Sequence, residues 1–202
     1  MDKWLKIFPV PQESPVHHYV RDLRFWIGGT CNIPEQFLDY TPWFPNVEII
    51  SLLGRGGPPL LRTPLFWRLP LSVTSLIINA DVAALTQVRD IMAQLPNLDD
   101  LSLTGSLIAG NEGAFPEMRT VLGGRFRGGL LLRLGYADKG VMDMLLGIPT
   151  RLHFAKVEIR GTEKCLLSTV RLVEACCDTI VQLAFIASPY GRSYSFSWSS
   201  LI

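Results

Sequence analysis

The sequence predicts an α/β fold in which a short strand and a helical return recur about seven times along one chain. Three observations carry that prediction: an apolar block at positions 1, 4 and 6 that returns at nearly constant intervals, helix-period segments between the blocks, and prolines that close those segments. The block occurs as Val20, Leu23, Phe25; as Val47, Ile50, Leu52; as Val73, Leu76, Ile78; and as Leu98, Leu101, Leu103. It continues more loosely around Leu132 and Leu134, then as Phe154, Val157, Ile159 and as Ile180, Leu183, Phe185. With Leu23, Ile50, Leu76, Leu101, Leu132, Val157 and Leu183 as central positions, the intervals are 27, 26, 25, 31, 25 and 26 residues. A chance scatter of leucines would not hold that interval.

The segments between blocks have the other period. Leu85, Val88, Ile91, Met92 and Leu95 fall on one helix face, as do Val141, Met144, Leu145 and Ile148. Phe44-Pro45, Leu69-Pro70, Leu95-Pro96 and Ile148-Pro149 then stop the returns, because proline neither donates to a helix nor leaves its predecessor free to stay helical. Helix starts are expected at Asn32 capping towards Glu35, near Pro116, and at Asp138. A strand plus helical return every ~20 to 29 residues is the pattern of a leucine-rich-repeat solenoid, with the parallel sheet on the concave side. The array is irregular, since the motif's later Asn or Cys is replaced by residues such as Asp81, Ser106 and Thr162.

Such an array needs ends, because a terminal unit leaves apolar surface and a strand edge in water. Trp4, Leu5, Ile7 and Phe8 are expected to cover one end. At the other, Ser193 to Trp198 alternates strictly, which places Tyr194, Phe196 and Trp198 on one face of a capping strand.

Composition narrows the function classes. Apolar residues are 48% of the 202 residues and mean hydropathy is +0.25, yet no run approaches the roughly 18 apolar residues of a membrane-spanning helix, so no membrane association is expected. The opening MDKWLKIFPVPQE is acidic at once and broken by prolines, unlike a secretory signal, so a cytoplasmic or nuclear location is expected. The four cysteines, Cys31, Cys165, Cys176 and Cys177, have no metal-ligand spacing and read as small core residues. Nineteen Lys and Arg against eighteen Asp and Glu give no general attraction to a polyanion, so nucleic acid is not an expected partner.

No GxSxG, HExxH, Walker A or GxGxxG pattern occurs, and no enzyme activity or cofactor is expected. His17 and His18 with His153 make no metal set, because adjacent side chains on a strand point to opposite faces and no further ligands complete a shell. The segment Gly123-Gly124-Arg125-Phe126-Arg127-Gly128-Gly129 resembles an RNA-binding Arg-Gly stretch, which keeps an RNA-binding accessory role as an alternative. Its place between a helix pattern and a strand block favours a backbone turn.

If positions 1, 4 and 6 point inward, the alternate strand residues form an outward face that would meet a partner. The candidates there are Arg24, Trp26, Ile49, Leu53, Ile77, Asn79, Asp100, Ser102, Arg133, Lys156, Glu158 and Arg160, with Asp22, Ser51, Ser75, Thr104, Leu131, Gln182, Ala184 and Ile186 beside them. Trp26 and Arg160 are residue types enriched in binding hot spots. Ile49, Leu53 and Ile77 would form an apolar patch, either exposed or covered by a flanking segment.

Three segments also carry a family likeness: SPVHHYVRDLRF (14–25), QVRDIMAQLPNLDDLSLTGSL (87–107) and CLLSTVRLVEACCDTIVQL (165–183). Over most of residues 14–199 the chain resembles the repeat region of the large F-box-like protein families of mushroom-forming fungi. The resemblance implies a substrate-recognition subunit of a Skp1-cullin-F-box type ubiquitin ligase, in which the F-box holds the adaptor and the repeats hold a target protein whose identity is unknown. Thirteen residues before Ser14 are too few for an F-box. The chain is therefore expected to be a partial gene product or a repeat-only relative, and a Skp1-type adaptor is a partner only if an F-box lies upstream; a non-functional fragment is the remaining alternative. The corresponding division is 1–15 as N-terminal cap or remnant of an F-box linker, 16–190 as the repeat array, and 191–202 as a capping strand or tail.

Overall fold

Short runs in which apolar residues alternate with small or polar ones favour extended backbone that buries one face. In the computed structural model, which describes residues 18–28, 44–55, 70–80, 83–105, 107–108, 126–134, 138–147, 152–161, 166–187 and 194–199, such runs form the strands. They are β1 (Asp22–Gly28), β2 (Ile49–Arg55), β3 (Ser75–Ala80), β4 (Ala83–Ala84), β5 (Asp100–Gly105), β6 (Leu107–Ile108), β7 (Gly129–Leu134), β8 (Lys156–Gly161), β9 (Gln182–Ala187) and β10 (Tyr194–Ser199). The helices are α1 (Leu85–Ala93), α2 (Asp138–Leu146) and α3 (Leu166–Cys176).

The main sheet runs β1-β2-β3-β5-β7-β8-β9-β10, so each strand lies beside its predecessor in the chain. The first seven are parallel, and β10 turns back antiparallel onto β9, with Phe196 opposite Phe185. A separate two-stranded parallel sheet pairs β4 with β6. The chain is thus an α/β protein built around a parallel sheet of units taken in order.

Register aligns the blocks. Leu23, Ile50, Leu76, Leu101, Leu130, Val157 and Leu183 form one column across the seven parallel strands, and Phe25, Leu52, Ile78, Leu103, Leu132, Ile159 and Phe185 form the next. This corrects the expected fifth block. Leu130, not Leu132, holds the central position, and Leu132 takes the place expected for Leu134. The intervals become 27, 26, 25, 29, 27 and 26 residues, without the long gap. A slip of two residues keeps each side chain on its expected face, since strand side chains alternate with period two.

Both columns are buried in the middle of the sheet, from Ile50 and Leu52 to Val157 and Ile159, whereas Leu23, Leu183 and Phe185 near the ends are only partly buried. The helices cover that inner side. Leu85, Val88, Ile91 and Met92 of α1, with Leu95 beyond it, and Val141, Met144 and Leu145 of α2 are buried, as the helix spacing predicts; Met142, off that face, is buried too, and Ile148 lies outside the described residues. Gly140 allows α2 to approach α1, because a Cβ there would lie 2.7 Å from Leu85 Cδ1. Asp138 begins α2. Cys176 is buried at the end of α3, but Cys177 is exposed, so only the first of the pair is a core residue. The expected caps Trp4, Leu5, Ile7 and Phe8, the helix starts Asn32 and Pro116, and Cys31, Cys165, Asp81, Ser106 and Thr162 lie outside the described residues.

The entries into β2, β3, β5 and β9 repeat a polar device that the sequence pattern did not reveal. Val47, Val73 and Leu98 donate their N–H to Phe44 O, Pro70 O and Leu95 O at 3.3, 3.2 and 3.1 Å, closing turns that contain the prolines. Just before the inward residue, Asn46 and Asn97 donate from Nδ2 to His18 O and Leu71 O in the preceding unit, at 2.9 and 2.8 Å. Ser72 and Thr179 donate from their hydroxyls to Val47 O and Phe154 O at 2.7 and 3.2 Å. Short polar side chains therefore satisfy turn carbonyls that the sheet ladder leaves unpaired.

Candidate partner-binding face

The outward strand residues fall into three columns. Asp22, Ile49, Ser75, Asp100, Gly129, Lys156 and Gln182 form the first; Arg24, Ser51, Ile77, Ser102, Leu131, Glu158 and Ala184 the second; Trp26, Leu53, Asn79, Thr104, Arg133, Arg160 and Ile186 the third. Unlike the inner columns, these mix charge, hydroxyls and apolar groups. Nothing in packing the core demands that mixture.

Part of this face is a shallow groove of about 420 Å³ crossing β3, β5, β7, β8 and β9. Ile77, Asp100, Ser102, Lys156 and Glu158 from the expected set line it, joined by Leu131, Gln182 and Ala184. Gly129 also lines it. The Gly-Leu-Leu-Leu-Arg-Leu run reads equally well two residues out of register, which hid that residue's place in the first column. Arg24, Ile49, Leu53, Asn79, Arg133 and Arg160 lie outside the groove's lining, and the Trp26 side chain is outside the described atoms. Ile49, Leu53 and Ile77 are half-buried, and Ser51 between them is only 4% exposed, so this corner is less open than the expected patch.

Charged groups on the face are largely paired with one another. Arg133 Nη2 and Arg160 Nε both donate to Glu158 Oε1, at 3.3 and 2.8 Å. Arg24 donates to Asp22 Oδ2 at 2.9 and 2.7 Å; that hydrogen bond, and then the charge of Asp22, raise the Arg24 pKa. Asp100 accepts the N–H of Gly129, so its carboxylate serves the backbone of the next strand.

Where it is described, the Gly/Arg segment is the approach to β7, with a bend at Gly128 and strand from Gly129. Residues 123–125 lie outside the described residues. Phe126 is fully buried with its ring 5.4 Å from that of Phe154 in an edge-to-face arrangement, and is not placed to stack on a base. A Cβ on Gly128 would fall 2.6 Å from Asp100 Cγ, which is why glycine is needed there. Arg127 is exposed and lines a second hollow of about 340 Å³ with His153, Ala155 and Thr179, where β7 to β9 begin.

Among the described residues, no group of three or more His, Cys, Asp or Glu is placed to hold a metal, and no helix is long and apolar enough to cross a membrane. Burial, more than a backbone hydrogen bond with Phe154 offsets, pushes the Cys176 thiol up to about 11, so it is protonated at neutral pH and a poor nucleophile. Comparison with known proteins finds no matching family model, curated protein or solved structure.

Proposed function

We propose that the chain is a leucine-rich-repeat solenoid whose outward strand face, the concave one in such a solenoid, binds another protein. The observation that carries this reading is the contrast between the two faces of one set of strands. Inward positions of the main sheet are apolar throughout and buried from β2 to β8, while outward positions from β3 to β9 form an open, chemically mixed groove. Five neighbouring strands about 4.8 Å apart make the groove roughly 19 Å wide, enough to hold an extended segment together with its flanking side chains. Open shape favours a chain-like partner over a small molecule, which usually needs an enclosed pocket.

Binding is also favoured over catalysis. A general base needs a carboxylate or imidazole within reach of a substrate proton. Here Asp100 is occupied by the Gly129 N–H and Glu158 by two guanidinium groups. The likeness to fungal F-box-like repeats extends the proposal: the bound protein would be a ubiquitination target, and adaptor recruitment would require an F-box ahead of the repeats in the same polypeptide.

Affinity capture from the cells that express the protein tests the binding face. Leu131→Glu puts a charge in the middle of the groove, and Leu167→Glu does the same at an exposed position on α3. Partners of the native chain are expected to be lost about tenfold or more with Leu131→Glu and kept with Leu167→Glu, as for an apolar hot spot against an inert surface. Partners retained by both variants, each folded by circular dichroism, would contradict this assignment of the binding face.

A further inference from the structure

Arg133 on β7 and Arg160 on β8 are direct cross-strand neighbours on the outward face. Like charges directly opposite one another on adjacent strands repel, so the pair works against sheet stability. One carboxylate holds it together, with Glu158 Oε1 accepting from both. Each guanidinium has five N–H donors, so most of that donor capacity faces away from Glu158. Two positive charges against one leave an excess, and Lys156 adds a third on the same face of β8. Arg133 and Arg160 retain 43% and 45% side-chain exposure, so neither is sequestered by the fold. Beside them, Leu131 lines the groove two residues before Arg133, between Ser102 and Glu158 on the neighbouring strands and roughly 7 Å along the strand from the arginine.

Building on the protein-binding reading above, we propose that Arg133 and Arg160 recognise a carboxylate of the partner, and that the docking segment carries an acidic side chain two residues from an apolar one. An extended chain repeats the roughly 7 Å spacing between Leu131 and the arginine pair, so an apolar side chain would sit on Leu131 while the acid inserts between the guanidinium groups. Forked, planar donors suit a carboxylate. Glu158 is then an internal competitor: it keeps the pair folded together in the free protein and shares it in the complex.

Fluorescence polarisation on the full chain tests this with labelled dodecapeptide pools whose centre is fixed as Leu-X-Glu, Leu-X-Gln or Leu-X-phosphoserine in a neutral background. The Glu pool is expected to bind, the Gln pool to bind at least about tenfold more weakly, and binding to weaken as salt is added. Arg133→Ala and Arg160→Ala should each lose about tenfold for the Glu pool, with the Lys variants falling between. Glu158→Gln should tighten that pool, an effect opposite to that of a merely structural residue. Equal binding of the Glu and Gln pools, no binding of the Glu pool, binding of the phosphoserine pool alone, or weakening by Glu158→Gln would each overturn the proposal. If both arginine variants keep the native partners while Leu131→Glu loses them, the carboxylate site fails and the protein-binding reading stands.

Discussion

Two neighbouring junctions in the sheet solve the same problem differently. Between β3 and β5, Thr74 O accepts from the N–H groups of both Asp99 and Asp100, at 2.8 and 2.9 Å. The same shared-carbonyl arrangement recurs at Arg21 O, Glu48 O, Gly128 O and Ala155 O. Between β5 and β7 it breaks. Asp99 O takes only the Gly128 N–H of the pair, while Gly129 N–H turns to the Asp100 carboxylate and Arg127 N–H to Asp99 Oδ1 at 3.4 Å. Phe126 moves into the buried entry position with a left-handed backbone, φ 45°. For a residue other than glycine that conformation costs about 1–2 kcal/mol. Side-chain oxygens thus replace a lost backbone acceptor, and a buried aromatic offsets the strained backbone, so that Leu101 still pairs with Leu130. The spacing of this fold is set by register at the strand, and the chain between strands adapts to it.

The largest way to break that comparison is at Phe126. Phe126→Ala removes a fully buried ring and its edge-to-face contact with Phe154, at an expected cost of about 3–5 kcal/mol in urea unfolding. The corresponding position of the regular junction holds an aliphatic side chain, Leu98, so the excess over Leu98→Ala measures what the irregular junction needs.

A smaller effect is expected at Gly128. Gly128→Ala pushes a methyl group into the Asp100 carboxylate, which cannot move without releasing the Gly129 N–H, and about 1–3 kcal/mol should be lost. Added to Asp100→Ala, the same substitution should cost less than the two single changes combined, because the clash is then absent. Strict additivity in the measured unfolding free energies would mean that the two residues do not share this site.

Much of the fold was legible because burial writes itself into sequence with the period of the element. Inward residues such as Ile50, Leu76 and Leu101, and the buried faces of α1 and α2, follow directly from spacings of two and of three to four. Leu130 was not distinguishable from Leu132, since three consecutive leucines satisfy either register. That ambiguity also hid the arginine pair: in the shifted register Arg133 would stand opposite Glu158, whereas it stands opposite Arg160. Asn46, Ser72, Asn97 and Thr179 went unnoticed for another reason. Their partners are carbonyls 25 to 28 residues away, and no local periodicity reports such a contact. The outward set was legible as a face, but its division into groove, ion-paired arginines and half-buried corner depends on side-chain lengths across strands.

The division of each strand into a structural face and a free face is tested most directly by hydrogen exchange on Leu101→Ala and Ser102→Ala, adjacent residues in β5. Leu101 is 1% exposed, whereas Ser102, in the outward column, is half-buried. Leu101→Ala should open a cavity costing about 2–5 kcal/mol and speed exchange in β3, β5 and β7. Ser102→Ala should stay within about 0.5 kcal/mol and leave protection in those strands unchanged. Equal loss of protection in the two variants would contradict the assignment of faces, and the proposed binding groove with it.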